Sequence, residues 1–136
     1  MSFKFYNLRL LPGSDLKKEL VSFATQNNLK ASSILTGIGS LNRLCLRKAD
    51  QGQLLQAEEC FEILSIQGTL SLHGVHLHMS VADNSGKVAG GHLMEGCQIF
   101  TTAEITLLEQ QDVEFFREKD LKTGYLELVI RPRSKD

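Results

Sequence analysis

Positive charge is not in surplus here: the 136 residues hold 15 lysines and arginines against 16 aspartates and glutamates, for a net charge of −1. A domain that grips nucleic acid neutralises phosphates with Lys and Arg and normally carries a clear basic excess. The charge balance therefore speaks against direct DNA binding. Two local patches, Arg43 with Arg47 and Lys48, and Arg131 with Arg133 and Lys135, read as a solvated strand edge and a charged tail. Long apolar runs are also missing. None approaches the roughly 18 residues of a membrane span, and the opening MSFKFYNLRLLPG lacks the apolar stretch and small-residue cleavage site of a signal peptide. A cytoplasmic protein without membrane attachment is expected. Cys45, Cys60 and Cys97 form no CxxC pair and read as reduced thiols. Internal repeats and low-complexity linkers are absent.

What is present is an ordinary globular composition, 42% hydrophobic and 23% charged, long enough for one domain with a core. Phe3 to Leu11 is rich in strand formers. Ser14 or Asp15 can cap a helix in which Leu16, Leu20, Phe23 and Ala24 recur at helical spacing. Ala31 to Leu35 and Leu41 to Arg47 read as two strands joined by a tight loop, Thr36-Gly37-Ile38-Gly39-Ser40. That loop is not a dinucleotide fingerprint, which needs a third glycine and a following helix. Asp50 to Glu59 reads as a hairpin turn, Phe61 to Leu72 as a long strand bent at Gly68, and Gln98 to Leu108 as another strand. VEFFR and Tyr125 to Arg131 complete the set. The expectation is an α+β fold: one principal helix on a mainly antiparallel sheet of about seven strands, in a single domain over residues 1–136 whose last residues, 130–136, form a flexible tail.

All 4 histidines lie between His73 and His92, in HGVHLHMSVADNSGKVAGGH. From Val75 to Val81 the residues Val75, Leu77, Met79 and Val81 alternate with His76, His78 and Ser80, so a strand would turn the apolar set to one face and the imidazoles to the other. His76 and His78 are then same-face neighbours with Cα atoms roughly 6.5–7 Å apart. His92 depends on hairpin register. With Asn84-Ser85 as a two-residue loop it would fall opposite Leu77, on the wrong face. With Asn84-Ser85-Gly86 as a three-residue loop, Asp83 faces Lys87 and His92 falls opposite His78, while Val81 pairs with Ala89, Ser80 with Gly90, Met79 with Gly91 and Leu77 with Leu93. The second register explains Gly86, since such loops end in a left-handed residue. The alternative for Gly90-Gly91 is a bulge. The pattern points to a three-histidine metal site of His76, His78 and His92. Cys97 alternates onto the opposite face. His73 reads as a strand-end residue that supports the ligands or adds to them. Arg47 could hold an anionic ligand or a carboxylate. Of the acids, Glu95 should point away from His92, and Glu62 and Glu104 could approach only through the order of the sheet.

The order of motifs resembles the plant and prokaryote conserved (PPC) domain. The carrying segments are RLLPGSDL (Arg9 to Leu16), TGIGSLNRLCLR (Thr36 to Arg47), FEILSIQGTLSL (Phe61 to Leu72), HLHMSVADNSGKVAGGHLMEGC (His76 to Cys97), TAEI (Thr102 to Ile105) and KTGYLEL (Lys122 to Leu128). The resemblance implies a homotrimer and matches His76, His78 and His92 to the metal-binding histidines of prokaryotic members. Zinc is the first choice, because three imidazoles and a water make its usual open tetrahedral site, with another divalent transition metal as the alternative. Plant relatives add an AT-hook that enters the DNA minor groove, and this chain has no such Arg-Gly-Arg-Pro segment. The function implied is a metal-holding interaction module, transcription-related by the DNA-binding label of prokaryotic relatives, with a protein partner. The second reading is a zinc enzyme acting on a small metabolite, by analogy with the similar fold of acetolactate decarboxylase.

Overall fold

The computed structural model describes residues 2–50 and 52–134. Among them the chain forms strands β1 (Phe3–Leu10), β2 (Ser32–Arg47), β3 (Leu54–Ala57), β4 (Phe61–Ser71), β5 (Gly74–Ala82), β6 (Val88–Leu93), β7 (Gln98–Gln110), β8 (Val113–Lys119) and β9 (Leu126–Pro132), and one helix, α1 (Leu16–Gln26). Seven strands make one sheet, in the order β1-β7-β2-β4-β5-β6 with β3 beside β2, and β8 and β9 pair separately. Every pairing is antiparallel. The expected architecture of one helix on a mostly antiparallel sheet is present.

The helix begins where its cap permits. Asp15 keeps an extended backbone and accepts the Lys18 amide at 3.0 Å through one carboxylate oxygen, and its other oxygen accepts the Gly96 amide at 2.6 Å. One side chain thus satisfies an orphan amide of the first turn and ties the helix to the segment after β6. Leu16, Leu20 and Ala24 form the buried stripe. The chain leaves the helix through Asn28, which adopts the left-handed region at φ 51°. The stripe meets Ile34, Leu41, Leu44, Leu46, Ile66, Leu70, Leu77, Leu93, Ile99 and Leu107 in one continuous core. Burying each such leucine or isoleucine contributes about 1.5–3 kcal/mol.

The GIGS segment departs from the expected loop. β2 runs unbroken for 16 residues, with register shifts against β7 between Ile34 and Thr36, Gly39 and Leu41, and Leu41 and Arg43. The glycines permit close packing of neighbours instead of a reversal. A Cβ on Gly39 would overlap the Thr102 carbonyl oxygen, and one on Gly37 would meet the Ile66 side chain at 3.1 Å. Because β4 and β7 continue alongside, the chain has no reason to turn. At its far end β2 also pairs with β6, Leu46 with Leu93 and Arg47 with His92. The path β2-β4-β5-β6 therefore returns to β2. At the C-terminus, β9 reaches Pro132, and the Arg133 amide donates to the Asp112 carbonyl at 3.0 Å. Ordered structure thus enters the stretch expected as a tail. Residues 135–136 of that stretch lie outside the described residues.

Gly68 and Gly86 should answer alanine substitution differently. Gly68, at φ +137°, has the His76 carbonyl oxygen where a Cβ would stand, whereas Gly86, at φ +79°, has nothing within 4 Å. Gly68→Ala is expected to destabilise by roughly 2–4 kcal/mol, and Gly86→Ala by about 1 kcal/mol from backbone strain alone. Equal unfolding midpoints in urea would overturn this.

Candidate functional site

The hairpin of β5 and β6 sets the site. Its turn is closed by the Asp83 amide donating to the Lys87 carbonyl at 3.0 Å and the Gly86 amide donating to Asp83 at 2.9 Å. The Asp83 carboxylate accepts from the Ser85 amide, the Ser85 hydroxyl and the Lys87 amide at 2.8, 2.7 and 3.0 Å. The Ser85 hydroxyl, with those amides, holds this carboxyl below the usual aspartate range. The loop is the expected three-residue one, and His78 stands opposite His92, Met79 opposite Gly91, Ser80 opposite Gly90 and Val81 opposite Ala89. No bulge interrupts the run. The ladder ends at His92, however, and Leu93 partners Leu46 of β2, not Leu77. Gly91 marks that hand-over: a Cβ there would lie 2.6 Å from the Arg47 carbonyl oxygen.

Directly opposite residues share a face, so Gln67, His78, His92 and Arg47 form a transverse row over β4, β5, β6 and β2. His76 stands opposite Thr69 on the same face, and Leu77, Met79 and Val81 are buried beneath. The three imidazoles converge. Ring centroids are 5.0 Å apart for His76 and His78, 5.1 Å for His76 and His92, and 5.4 Å for His78 and His92. One nitrogen from each lies within 4.8 Å of the others, and the Nε2 atoms of His76 and His78 are 3.1 Å apart. Nδ1 of His92 is buried with no hydrogen-bond partner. Burial, then the Arg47 guanidinium, pushes His92 down to about 4. Burial, then His78, lowers His76 from its usual value. Both rings are therefore mainly neutral near pH 7, the state in which imidazole ligates.

His76, His78, His92 and Arg47 are the floor of a cleft of about 920 Å³. Arg47, Lys48, Val75 and Gly90 line it beside the histidines, and Arg117 of β8, Leu126 and Glu127 of β9 and Tyr125 of the turn between them line it from the other side. Pattern reading missed that second group, because its approach depends on how β8 docks. The Phe115 amide donates to the Lys30 carbonyl at 2.9 Å and the Ser71 hydroxyl donates to the Phe115 carbonyl at 2.8 Å. These bonds bring Arg117 over β4, where Nη2 donates to Thr69 Oγ1 at 2.6 Å. Burial lowers the Arg117 pKa.

The other candidates are placed elsewhere. His73 lies at the cleft rim, outside the imidazole cluster. Its Nε2 is 3.1 Å from Glu114 Oε1, and its ring stacks on Phe116 at 4.3 Å. Cys97 is buried against Cys45, and burial pushes its thiol up to about 11. Glu95 pairs with Lys18 at 3.5 Å, Glu62 stands opposite Ala82, and Glu104 lies between Arg9 and Ile38. None of the three lines the cleft. In the basic patches, Arg43 pairs with Glu58 at 3.2 Å, and Arg131 pairs with Glu118 and lies over Phe116. Lys135 lies outside the described residues. Among the described residues no helix is long and apolar enough to cross a membrane.

The family model of the Plants and Prokaryotes Conserved domain matches residues 1–111. The bifunctional protein GlmU of a Synechococcus strain is 50% identical over 129 residues, which are 95% of this chain and 21% of that protein. The chain thus spans about a fifth of that relative's length. A solved structure of a hypothetical protein from Salmonella is 41% identical, covering 98% of this chain and 96% of that one, with a TM-score of 0.95. A metal-containing protein from Archaeoglobus fulgidus is 26% identical over 93% of each chain, with a TM-score of 0.77.

The unpartnered Nδ1 of His92 makes this ring a poor contributor to stability. In metal-free protein His92→Leu is expected to match or exceed the parent's stability, within about 1 kcal/mol, because no hydrogen bond is lost and an unsatisfied polar atom is removed. Urea unfolding checks this, and a loss above about 2 kcal/mol would mean that the ring makes a bond of that size.

Proposed function

The chain belongs to the Plants and Prokaryotes Conserved domain family, and we propose that it acts as a homotrimeric module in which His76, His78 and His92 hold one divalent transition metal, zinc first. The observation that carries the reading is the convergence of three imidazole nitrogens within 4.8 Å. Two nitrogens bound at about 2.0–2.1 Å to one tetrahedral ion lie about 3.4 Å apart, close to the 3.1 Å between the Nε2 atoms of His76 and His78. The lowered pKa values of His76 and His92 and the orphaned His92 nitrogen fit a site built for a Lewis acid. The metal-containing Archaeoglobus relative adds to this support. The wider role proposed is interaction and regulation, transcription included.

The trimer draws support from apolar surface. Tyr6, Leu8 and Leu10 face inward, so alternation turns Phe3 and Phe5 outward. With Leu35, Ile38 and Phe100 they are 47–60% exposed on β1, β2 and β7. A monomer rarely leaves so much large apolar side chain in water.

A second reading, a metal-dependent enzyme on a small metabolite, is favoured by the open cleft above the histidines. A bound zinc would there polarise a carbonyl or lower the pKa of a water. Arg47 and Arg117 would orient an anionic substrate, and the His73–Glu114 pair at the rim would handle protons.

Elemental analysis of purified protein should find about one divalent ion per chain, lost in His76→Ala and in His92→Ala with sedimentation unchanged. Metal retained in both variants would end the reading. Separately, Phe5→Asp with Ile38→Asp should convert a sedimenting trimer to folded monomer. A trimer that persists would assign assembly to another surface.

A further inference from the structure

Two arginines reach the cleft without a carboxylate partner. Arg47 stands opposite His92, on the imidazole face. Arg117 comes from the opposite side, fixed by its bond to Thr69, which itself stands opposite His76. Among the described residues the ion pairs join Lys18 to Glu95, Lys30 and His73 to Glu114, Arg43 to Glu58, and Arg131 to Glu118. Neither Arg47 nor Arg117 takes part. Glu127 is the carboxylate that lines the cleft, against Arg47, Lys48 and Arg117. Glu127 acts on Arg117 through space without pairing with it. A chain with net charge −1 thus gathers a local positive surplus where the three imidazoles meet.

That arrangement has a chemical meaning. A half-buried guanidinium without a counter-ion is costly, and its planar fork matches the two oxygens of a carboxylate or the oxygens of a phosphate. The remaining wall is different in kind, since Val75, Tyr125 and Leu126 are uncharged and mainly apolar. The volume of about 920 Å³ lies within the range of small-molecule sites.

We propose that this cleft binds a small organic anion, its carboxylate or phosphate head held between Arg47 and Arg117 and its uncharged body lying along Val75, Tyr125 and Leu126. The proposal goes beyond the metal reading, because the arginines provide the hold and binding does not require a metal.

The test titrates inorganic phosphate and succinate, separately, into the metal-free full chain after the chelator has been removed. Sodium chloride at matched ionic strength is the reference, and calorimetry with melting temperature is the readout. Saturable binding is expected, weakened at least tenfold in Arg47→Gln and in Arg117→Gln and lost in the double variant. The tighter probe identifies the head group. Arg47→Lys, which keeps the charge and loses the fork, should bind severalfold more weakly than the parent. Circular dichroism checks folding, and if Arg117→Gln unfolds because its Thr69 bond is lost, Arg47→Gln decides alone. A folded Arg47→Gln variant with parental affinity overturns the proposal, as does a response that follows ionic strength only. Binding that appears only after zinc loading would place the anion on the metal and also overturns it. Loss of the metal reading leaves the expected outcome unchanged, because the titration is made on metal-free protein.

Discussion

Opposition of His78 and His92 across β5 and β6 is the contact on which the site depends. Side chains alternate with period two, so a slip of one residue would send His92 into the core and bring Leu93 up among the imidazoles. Three features hold the register. Asp83 gathers two amides and a hydroxyl on its carboxylate and shapes the loop. Below the sheet, Met79 and Val81 are buried opposite Gly91 and Ala89. On the far side, β2 comes so close to Gly91 that a side chain there would meet the Arg47 carbonyl. A slip would have to break all three together.

That last contact makes β2 the strand that joins site to core. Its first half pairs with β4 and β7 over α1, and its last residues pair with β6 beside the histidines. A strand broken at Thr36–Ser40 would have let the two halves move independently. The unbroken one transmits the packing of Ile34, Leu41, Leu44 and Leu46 to the position of Arg47. Floor residues mounted on adjacent, mutually bonded strands are held more firmly than residues on loops.

Much of this was legible in the sequence, for local reasons. The alternation from Val75 to Val81 separates imidazoles from core by period alone, and Gly86 selects the loop length that returns His92 to His78. Asp15 and the leucine stripe mark the helix. GIGS misled because glycine has two uses that a sequence does not separate: it permits a reversal, and it permits close approach of a neighbouring strand. At Gly37 and Gly39 the second use prevails. Leu77 with Leu93 failed for a related reason, since hairpin arithmetic does not know that a third strand claims Leu93. Arg117 and Glu127 carried no signal, because their places follow from the docking of β8 on Lys30 and Ser71, residues distant along the chain. The separation of His73 from the cluster follows from the same docking, which brings Glu114 and Phe116 to its ring.

Floor and wall are consequently different kinds of structure. The floor of His76, His78, His92 and Arg47 lies within the 111 residues that match the family domain. The backbone of each member is locked by ladder bonds on one or both sides, so its place is set by the sheet and not by its own side chain. The wall of Arg117, Tyr125, Leu126 and Glu127 lies beyond that match, on a two-stranded hairpin attached to the main sheet by few bonds. Leu126 and Ile130 are largely exposed there, and Phe115 is the side chain of the hairpin that is buried. Changes in it can reshape the cleft and reset its charge while the imidazoles stay in place. The fold also keeps features that lower its stability, an orphaned nitrogen on His92 and a half-buried guanidinium on Arg117 that, among the described residues, forms no ion pair. Local costs of this kind, gathered on one face over an otherwise consistent core, are what a site selected for binding leaves behind.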